Sequence, residues 1–134
     1  VAGFIVMTPK PTSVSIAAAL EGLTFLPDRS PATTTEDWAA ALMPYRDGAM
    51  FVAHYAGQSE WERHGVGDEI VIALEGATTL TLLIDDEEVP YPLGPMEMLV
   101  VPQGVWHRFD TPDEVKVLSV TPQPTDHSTE RPES

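Results

Sequence analysis

From Met50 onward the chain breaks into short apolar runs separated by glycine, proline or acidic residues: "MFVAHY", "EWERH", "EIVIALE", "TTLTLLI", "MEMLVVP", "WHRFD" and "VKVLSVT". Runs of this length rich in Val, Ile, Thr and Leu predict β-strands joined by turns, and so an all-β sandwich or barrel. No helical periodicity alternates with them, which disfavours a doubly wound parallel sheet. The acidic cluster from Ile84 to Glu88 reads as a solvated hairpin turn, since the spacing of a calcium loop is absent. Before Met50 the pattern differs. "TPKPTSVS" reads as an extended, proline-punctuated arm. "TTTEDWAAALMPYRDG" predicts one short helix, with Thr34 and Asp37 as a capping pair, alanines as helix formers and Pro44 at its end. The tail "TPQPTDHSTERPES" is polar and proline-rich and is expected to be mobile. The resulting division is an N-terminal arm over 1–33, a barrel with its leading short helix over 34–121, and a flexible tail over 122–134.

Length and charge narrow the partners. At 134 residues with 43% hydrophobic content, the chain suffices for one domain with a core. Seven basic against 21 acidic residues give a formal charge of −14. Such a surface repels phosphate backbones and anionic lipid heads, so nucleic acid and membrane are poor partners. No apolar run is long enough to span a bilayer. "VAGFIVM" is apolar but lacks a basic leader and a cleavage site, so it does not read as a secretory signal, and Met7 is a candidate start. The absence of cysteine removes disulfides, zinc ribbons and thiol catalysis, and agrees with an expected cytoplasmic location.

The candidate chemistry concentrates in "EWERHGVGDE", Glu60 to Glu69. On a strand, residues two apart share a face, so Glu62 and His64 point one way and Trp61 and Arg63 the other. Gly65 and Gly67 permit a reversal, after which Glu69, Val71 and Ala73 share a face. If that hairpin forms, Glu62, His64 and Glu69 converge. "PQGVWHRF" later supplies His107, with Phe109 on its face as a candidate cavity wall. His54 precedes this region as a candidate acid–base group or a structural histidine, and His127 reads as a solvated tail residue. Trp61 and Trp106 have the opposite parity to their histidine neighbours and are expected to pack outward. Tyr55 and Tyr91 are within possible reach of a pocket. Val71, Ala73, Leu80 and Leu82 are expected to form a dry inner wall.

The spacing His64-x4-Glu69-x6-Gly76, followed by Pro102-x-Gly104-x2-His107, resembles the two motifs of the cupin superfamily, over about Met50 to Thr121. Glu62 stands where the first motif usually has histidine, and "WERHGVGDE" is similar to a subgroup of small RmlC-like cupins with Glu-x-His there. The second motif departs at Met96, in place of its leading glycine, and at Thr111, in place of its trailing asparagine. The resemblance implies a double-stranded β-helix, or jelly-roll barrel, with one divalent metal ion per chain near a mouth of the barrel. By position its ligands are Glu62, His64, Glu69 and His107. Imidazole with carboxylate suits Zn, Fe, Mn, Ni or Cu(II), and two carboxylates balance a divalent charge, so such a site should attract anions less than the usual cupin site. Alternatively His64, Glu69 and His107 form a two-histidine, one-carboxylate set and leave Glu62 as a general base.

The leading functional reading is a metal-dependent enzyme on a small organic molecule, of oxygenase, isomerase or lyase type, with Glu62 or His54 moving protons. The fold itself does not choose among these. The rival is a non-catalytic module that binds or senses a small ligand, and a barrel with no ligand is a third. A homodimer is expected, with the arm before Thr34 available to swap onto a neighbour.

Overall fold

A computed structural model describes residues 8–133, so the "VAGFIVM" segment and its candidate start lie outside the described residues. Ten strands and one helix follow in chain order: α1 (Ile16–Glu21), β1 (Leu26–Arg29), β2 (Ala39–Tyr45), β3 (Gly48–Gln58), β4 (Trp61–His64), β5 (Glu69–Gly76), β6 (Thr78–Ile84), β7 (Glu87–Leu93), β8 (Glu97–Val101), β9 (His107–Pro122) and β10 (Thr125–Ser128).

The long strand β9 is the spine. Its second half pairs with β3 on one side and β5 on the other, and β8 and β2 extend that layer outward. Its first half pairs with β6 and, at one residue pair, with β4, and β7 and β10 flank those. Two antiparallel layers therefore share one strand, and their inner faces meet in a core of Tyr55, Val71, Ala73, Leu80, Leu82 and further apolar residues. The expected dry wall is present: Val71, Ala73 and Leu80 are wholly buried and Leu82 nearly so. Strand β5 alternates between buried and part-buried positions along Glu69 to Ala73, as a half-buried antiparallel strand should. The Asp85–Asp86 turn joins β6 to β7 with positive φ at both residues (51° and 63°), the two-residue hairpin geometry that matches strand twist.

Four expectations fail, three of them through a long-range pairing. The helix expected across Ala39 to Tyr45 is strand β2, paired antiparallel with β3 from Ala39↔Ala53 to Tyr45↔Gly48. Alanine's helix preference is a fraction of a kcal/mol per residue and yields to a full ladder of strand hydrogen bonds, while Pro44 is tolerated because β2 is an edge strand. The helix that does form, α1, lies in the segment expected to be an extended arm, where Ser15 accepts a hydrogen bond from Ala18 N as its N-cap. The rest of that arm adds β1 in parallel to β3 of the same chain, through Leu26↔Tyr55 and Arg29↔Gly57.

The tail is ordered too, since β10 pairs antiparallel with β4 from Thr125↔His64 to Ser128↔Trp61. The hairpin expected between β4 and β5 does not form. The two strands lie in different layers, and neither Gly65 nor Gly67 takes a positive φ. The glycine that matters locally is Gly57. Its φ is +108°, and a Cβ there would stand 2.2 Å from the Arg29 carbonyl oxygen, so only glycine lets β1 approach. Among the described residues no helix is long and apolar enough to cross a membrane.

Candidate metal centre

Two strands of one layer position three of the four predicted ligands. Glu62 on β4 is the cross-strand partner of His107 on β9, so both side chains leave the same face of adjacent strands. His64 lies two residues along β4, on that face again. One potential ligand atom from each of Glu62, His64 and His107 lies within 4.8 Å of the others. Glu69 reaches the same point from the facing layer, on β5. Its carboxylate oxygens stand 3.1 Å from His107 Nε2 and 3.4 Å from His64 Nε2. Glu62, His64 and His107 thus form one cluster, and Glu69 meets its two histidines by closure of two layers and not by the local hairpin.

The outer ring nitrogens are fixed by partners. His107 Nδ1 lies 3.0 Å from the Val105 carbonyl oxygen, which can only accept, so Nδ1 carries a hydrogen. His64 Nδ1 lies 3.0 Å from Thr125 Oγ1, and that hydroxyl is placed to donate onward to Gln123 Oε1 at 3.4 Å. This arrangement leaves the hydroxyl oxygen to accept from His64 Nδ1–H. Both inner nitrogens then carry a lone pair in the neutral ring, the state a metal requires. Thr121 Oγ1 donates to Glu69 Oε2 at 2.6 Å and orients that carboxylate.

The inner atoms are otherwise orphaned. His64 Nε2, His107 Nε2 and Glu69 Oε1 are buried without a directed hydrogen bond, although charge contacts bring them close. Buried polar groups are nearly always satisfied, so buried imidazole and carboxylate atoms this close together without a directed hydrogen bond are those a cation would complete. The donor set of imidazole nitrogen and carboxylate oxygen fits a divalent transition ion.

Charge behaves accordingly. Burial pushes the Glu69 carboxyl up, but the close approach of the His107 and His64 rings and their charge outweigh it and hold the group at about 2. Burial pulls His107 down, and Glu69 more than compensates, leaving it raised. Glu62 is raised by burial first and by the Glu69 charge second, with the histidines and Arg29 opposing. Of the two carboxyls, Glu62 is therefore the one that holds a proton more readily.

Glu62 and Glu69 open onto a cavity of about 410 Å³, walled in part by Trp38, Phe51, Tyr55 and Phe109. Phe109 and Tyr55 thus line the cavity, whereas Tyr91 packs against the core outside it. The predicted acid–base histidine, His54, is not brought to the site. Its Nε2 lies 2.5 Å from Glu114 Oε1 and its ring packs on Phe25, because it alternates with inward Tyr55 along β3. Trp61 and Trp106 lie under Arg108 and Arg63 respectively, 4.9 and 4.6 Å from guanidinium carbon to ring centre.

Sequence reasoning missed four residues of the site. Thr125 and Thr121 orient ligands, His127 stands at the cavity rim paired with Glu60, and Arg29 lies 3.6 Å from Glu62. Thr125 and His127 belong to a segment whose proline-rich composition reads as tail, and Arg29 to one that reads as arm. In neither does local pattern signal a partner strand.

The sequence model of the cupin domain matches residues 50–121. No curated protein sequence matches the chain. Solved structures do. A conserved protein of unknown function from Streptococcus pyogenes superposes with a TM-score of 0.63 at 16% identity, over 92% of this chain and 97% of that one. A cupin-2 domain-containing protein from Shewanella frigidimarina gives 0.55 at 23% identity, over 68% and 85%. Hydroquinone 1,2-dioxygenase from Sphingomonas sp. TTNP3, solved with 4-hydroxybenzoate bound, gives 0.55 at 18% identity, over 73% and 71%. These likenesses concern the fold.

Proposed function

This chain belongs to the cupin family, and from that premise we propose that it is a metal-dependent enzyme acting on a small organic molecule. Glu62, His64 and His107 hold one divalent ion, with Glu69 completing the set from the facing layer. The observation that carries this reading is the trio of orphaned buried atoms, His64 Nε2, His107 Nε2 and Glu69 Oε1. A bound ion of this kind supplies Lewis-acid polarisation of a substrate oxygen or, if redox-active, oxygenase chemistry. Zn, Fe, Ni and Mn all suit the donors.

The chain's own residues have separable tasks. Val105 O and Thr125 Oγ1 fix the two imidazole tautomers from behind. Thr121 fixes the Glu69 carboxylate. The apolar wall keeps bulk water from the inner side of the site, which strengthens each charge interaction there. In the alternative ligand set of His64, Glu69 and His107, Glu62 is free of the ion, faces the cavity and is the group placed to take or give a proton at the substrate. His54 has no such task, since it faces Glu114. A homodimer belongs to the same reading, and light scattering that finds only monomer at micromolar concentration would remove that part.

Elemental analysis of tag-free protein, together with Glu62→Gln and His107→Ala, tests the proposal. One iron or manganese per chain in the wild type, lost in His107→Ala, supports oxygenase chemistry. Zinc at that ratio supports isomerase or lyase chemistry. Wild-type protein that takes up no divalent ion under any loading condition overturns the enzyme reading in favour of a non-catalytic ligand-binding module.

A further inference from the structure

One charged group in the cavity is unused by the metal reading. Arg29 arrives on β1, its side chain only 13% exposed, with its guanidinium carbon 4.4 Å from the Trp38 ring centre and 4.5 Å from that of Tyr55. Two aromatic faces thereby fix the orientation of the head group. Its one ion-pair neighbour among the described residues is Glu62, at 3.6 Å, too long for the paired hydrogen bonds that a guanidinium makes with a carboxylate. A planar fork of five donors thus stands in a small cavity with its pairing capacity largely unspent. Beside it the Tyr55 hydroxyl is buried and has no directed hydrogen-bond partner. Arg29 and Thr111 approach that hydroxyl without the geometry of a directed hydrogen bond, so it does not use up the guanidinium's donors.

We infer that Arg29 is the anion anchor of this cavity and that its ligand is a small organic monocarboxylate. The inference rests on the metal reading above and refines it. With a divalent ion, two ionised carboxylates, neutral imidazoles and Arg29, the site carries one net positive charge. A monoanion brings it to neutrality, a neutral ligand leaves Arg29 poorly paired, and a dianion leaves an unbalanced buried negative charge. The expectation from the ligand set alone, a weaker attraction for anions than at the usual cupin site, is therefore offset by a residue outside the two motifs. The cavity volume of about 410 Å³ sits at the low end for small-molecule sites and suits a ligand with a single ring or a short chain. Because Arg29 stands beside Glu62, a carboxylate held by Arg29 places the rest of a small molecule next to the metal ligands. Metal and carboxylate also favour each other through charge, so each should raise the affinity for the other by the same factor.

Calorimetric titration of the zinc-loaded protein with benzoate against benzamide, and with pyruvate against pyruvamide, tests the assignment. At least one acid should bind at least ~10-fold tighter than its amide, the usual scale for a charge-assisted contact. Zinc removal should weaken that acid's binding. Arg29→Met should abolish the preference for the acid while retaining zinc, and Arg29→Lys should keep part of it. Acid and amide bound alike by wild-type protein, or a preference that survives in Arg29→Met, overturns the assignment. If Arg29→Met does not fold, the wild-type acid–amide pairs and Arg29→Lys decide. Zinc content read in the same samples separates the two claims. A wild type without zinc sinks the metal reading, whereas a zinc-loaded wild type indifferent to the ligand's charge sinks only the Arg29 anchor.

Discussion

Strands β5 and β9 each build two unlike regions of one interior. Along β5 the inward residues run from Glu69 to Val71 and Ala73, and along β9 His107 gives way to Phe109, Thr111, Val115 and Val117. In the dry region, the buried hydroxyls of Thr78 and Thr111 lie 2.8 Å apart, and Thr78 also reaches the Asp110 carbonyl at 3.3 Å. These two hydroxyls are satisfied within the chain. In the other region several polar atoms are not. Of the five buried side-chain atoms without a directed partner among the described residues, four (Tyr55 Oη, His64 Nε2, Glu69 Oε1 and His107 Nε2) belong to the cavity or the ligand cluster. The fold satisfies buried polarity where it only has to hold together, and leaves it open where a cation and an anion are proposed to bind. Unmet buried polar groups cost roughly 1–3 kcal/mol each, so the open region weakens the metal-free protein and the dry region offsets that.

Substitutions in the two regions should therefore separate binding from stability. The largest effect is expected from His107→Ala, which should reduce bound metal from one ion per chain to background in elemental analysis. Leu80→Ala, in the dry region and wholly buried, should cost about 2–5 kcal/mol in urea denaturation and leave metal stoichiometry unchanged. If Leu80→Ala also emptied the site, the two regions would not be separable.

Acid should act chiefly on the open region of the metal-free protein. Glu69 is held at about 2 against its ordinary 4.5, a difference worth roughly 3 kcal/mol. That stabilisation is present above pH 4.5 and is lost as pH falls toward 2. The raised His107 contributes in the opposite sense: its share is present below 6.5 and disappears as pH rises through the raised value. Thermal unfolding of metal-free protein should accordingly peak between pH 4.5 and 6.5. Added zinc, which competes with the proton for His107 Nε2, should move the maximum upward. A maximum that zinc leaves in place would contradict the shared use of that nitrogen.

Thr125→Val should weaken metal affinity ~10- to 100-fold by freeing the His64 ring, with little change in global stability, as measured by competition with a fluorescent chelator. Glu62→Gln should act on stability and on metal affinity in opposite directions. The raised Glu62 disfavours folding at neutral pH because its charged form is buried near Glu69, so the amide should make the metal-free protein more stable while weakening its hold on metal. Glu62→Gln that destabilised the metal-free protein would count against repulsion between the two carboxyls.

The dry region and the ligand cluster were legible in the sequence to different depths. Alternation along Glu69 to Ala73 and from His107 to Phe109 reveals which side chains turn inward, because strand parity is a local property. Two motifs, over 64–76 and 102–107, then point to the candidate ligands. What local pattern could not convey is which strands become neighbours. Ala39 to Tyr45 has the composition of a helix, and only the β3 ladder makes it a strand. Thr125 lies in a segment that composition marks as mobile, and only pairing with β4 brings it to His64. Arg29 reaches the cavity because β1 runs parallel to β3 across Gly57, a contact with no signature in either segment. The residues proposed to hold an ion were thus readable, and those that orient them or are proposed to complement a ligand's charge were not.

Anomalous diffraction from crystals of tag-free protein loaded with zinc tests the central claim most directly. A single strong peak within about 2.0–2.2 Å of ligand atoms from Glu62, His64 and His107, with Glu69 turned toward it, is the predicted result. A map with no peak among these side chains, or with zinc bound only elsewhere on the acidic surface, would contradict it.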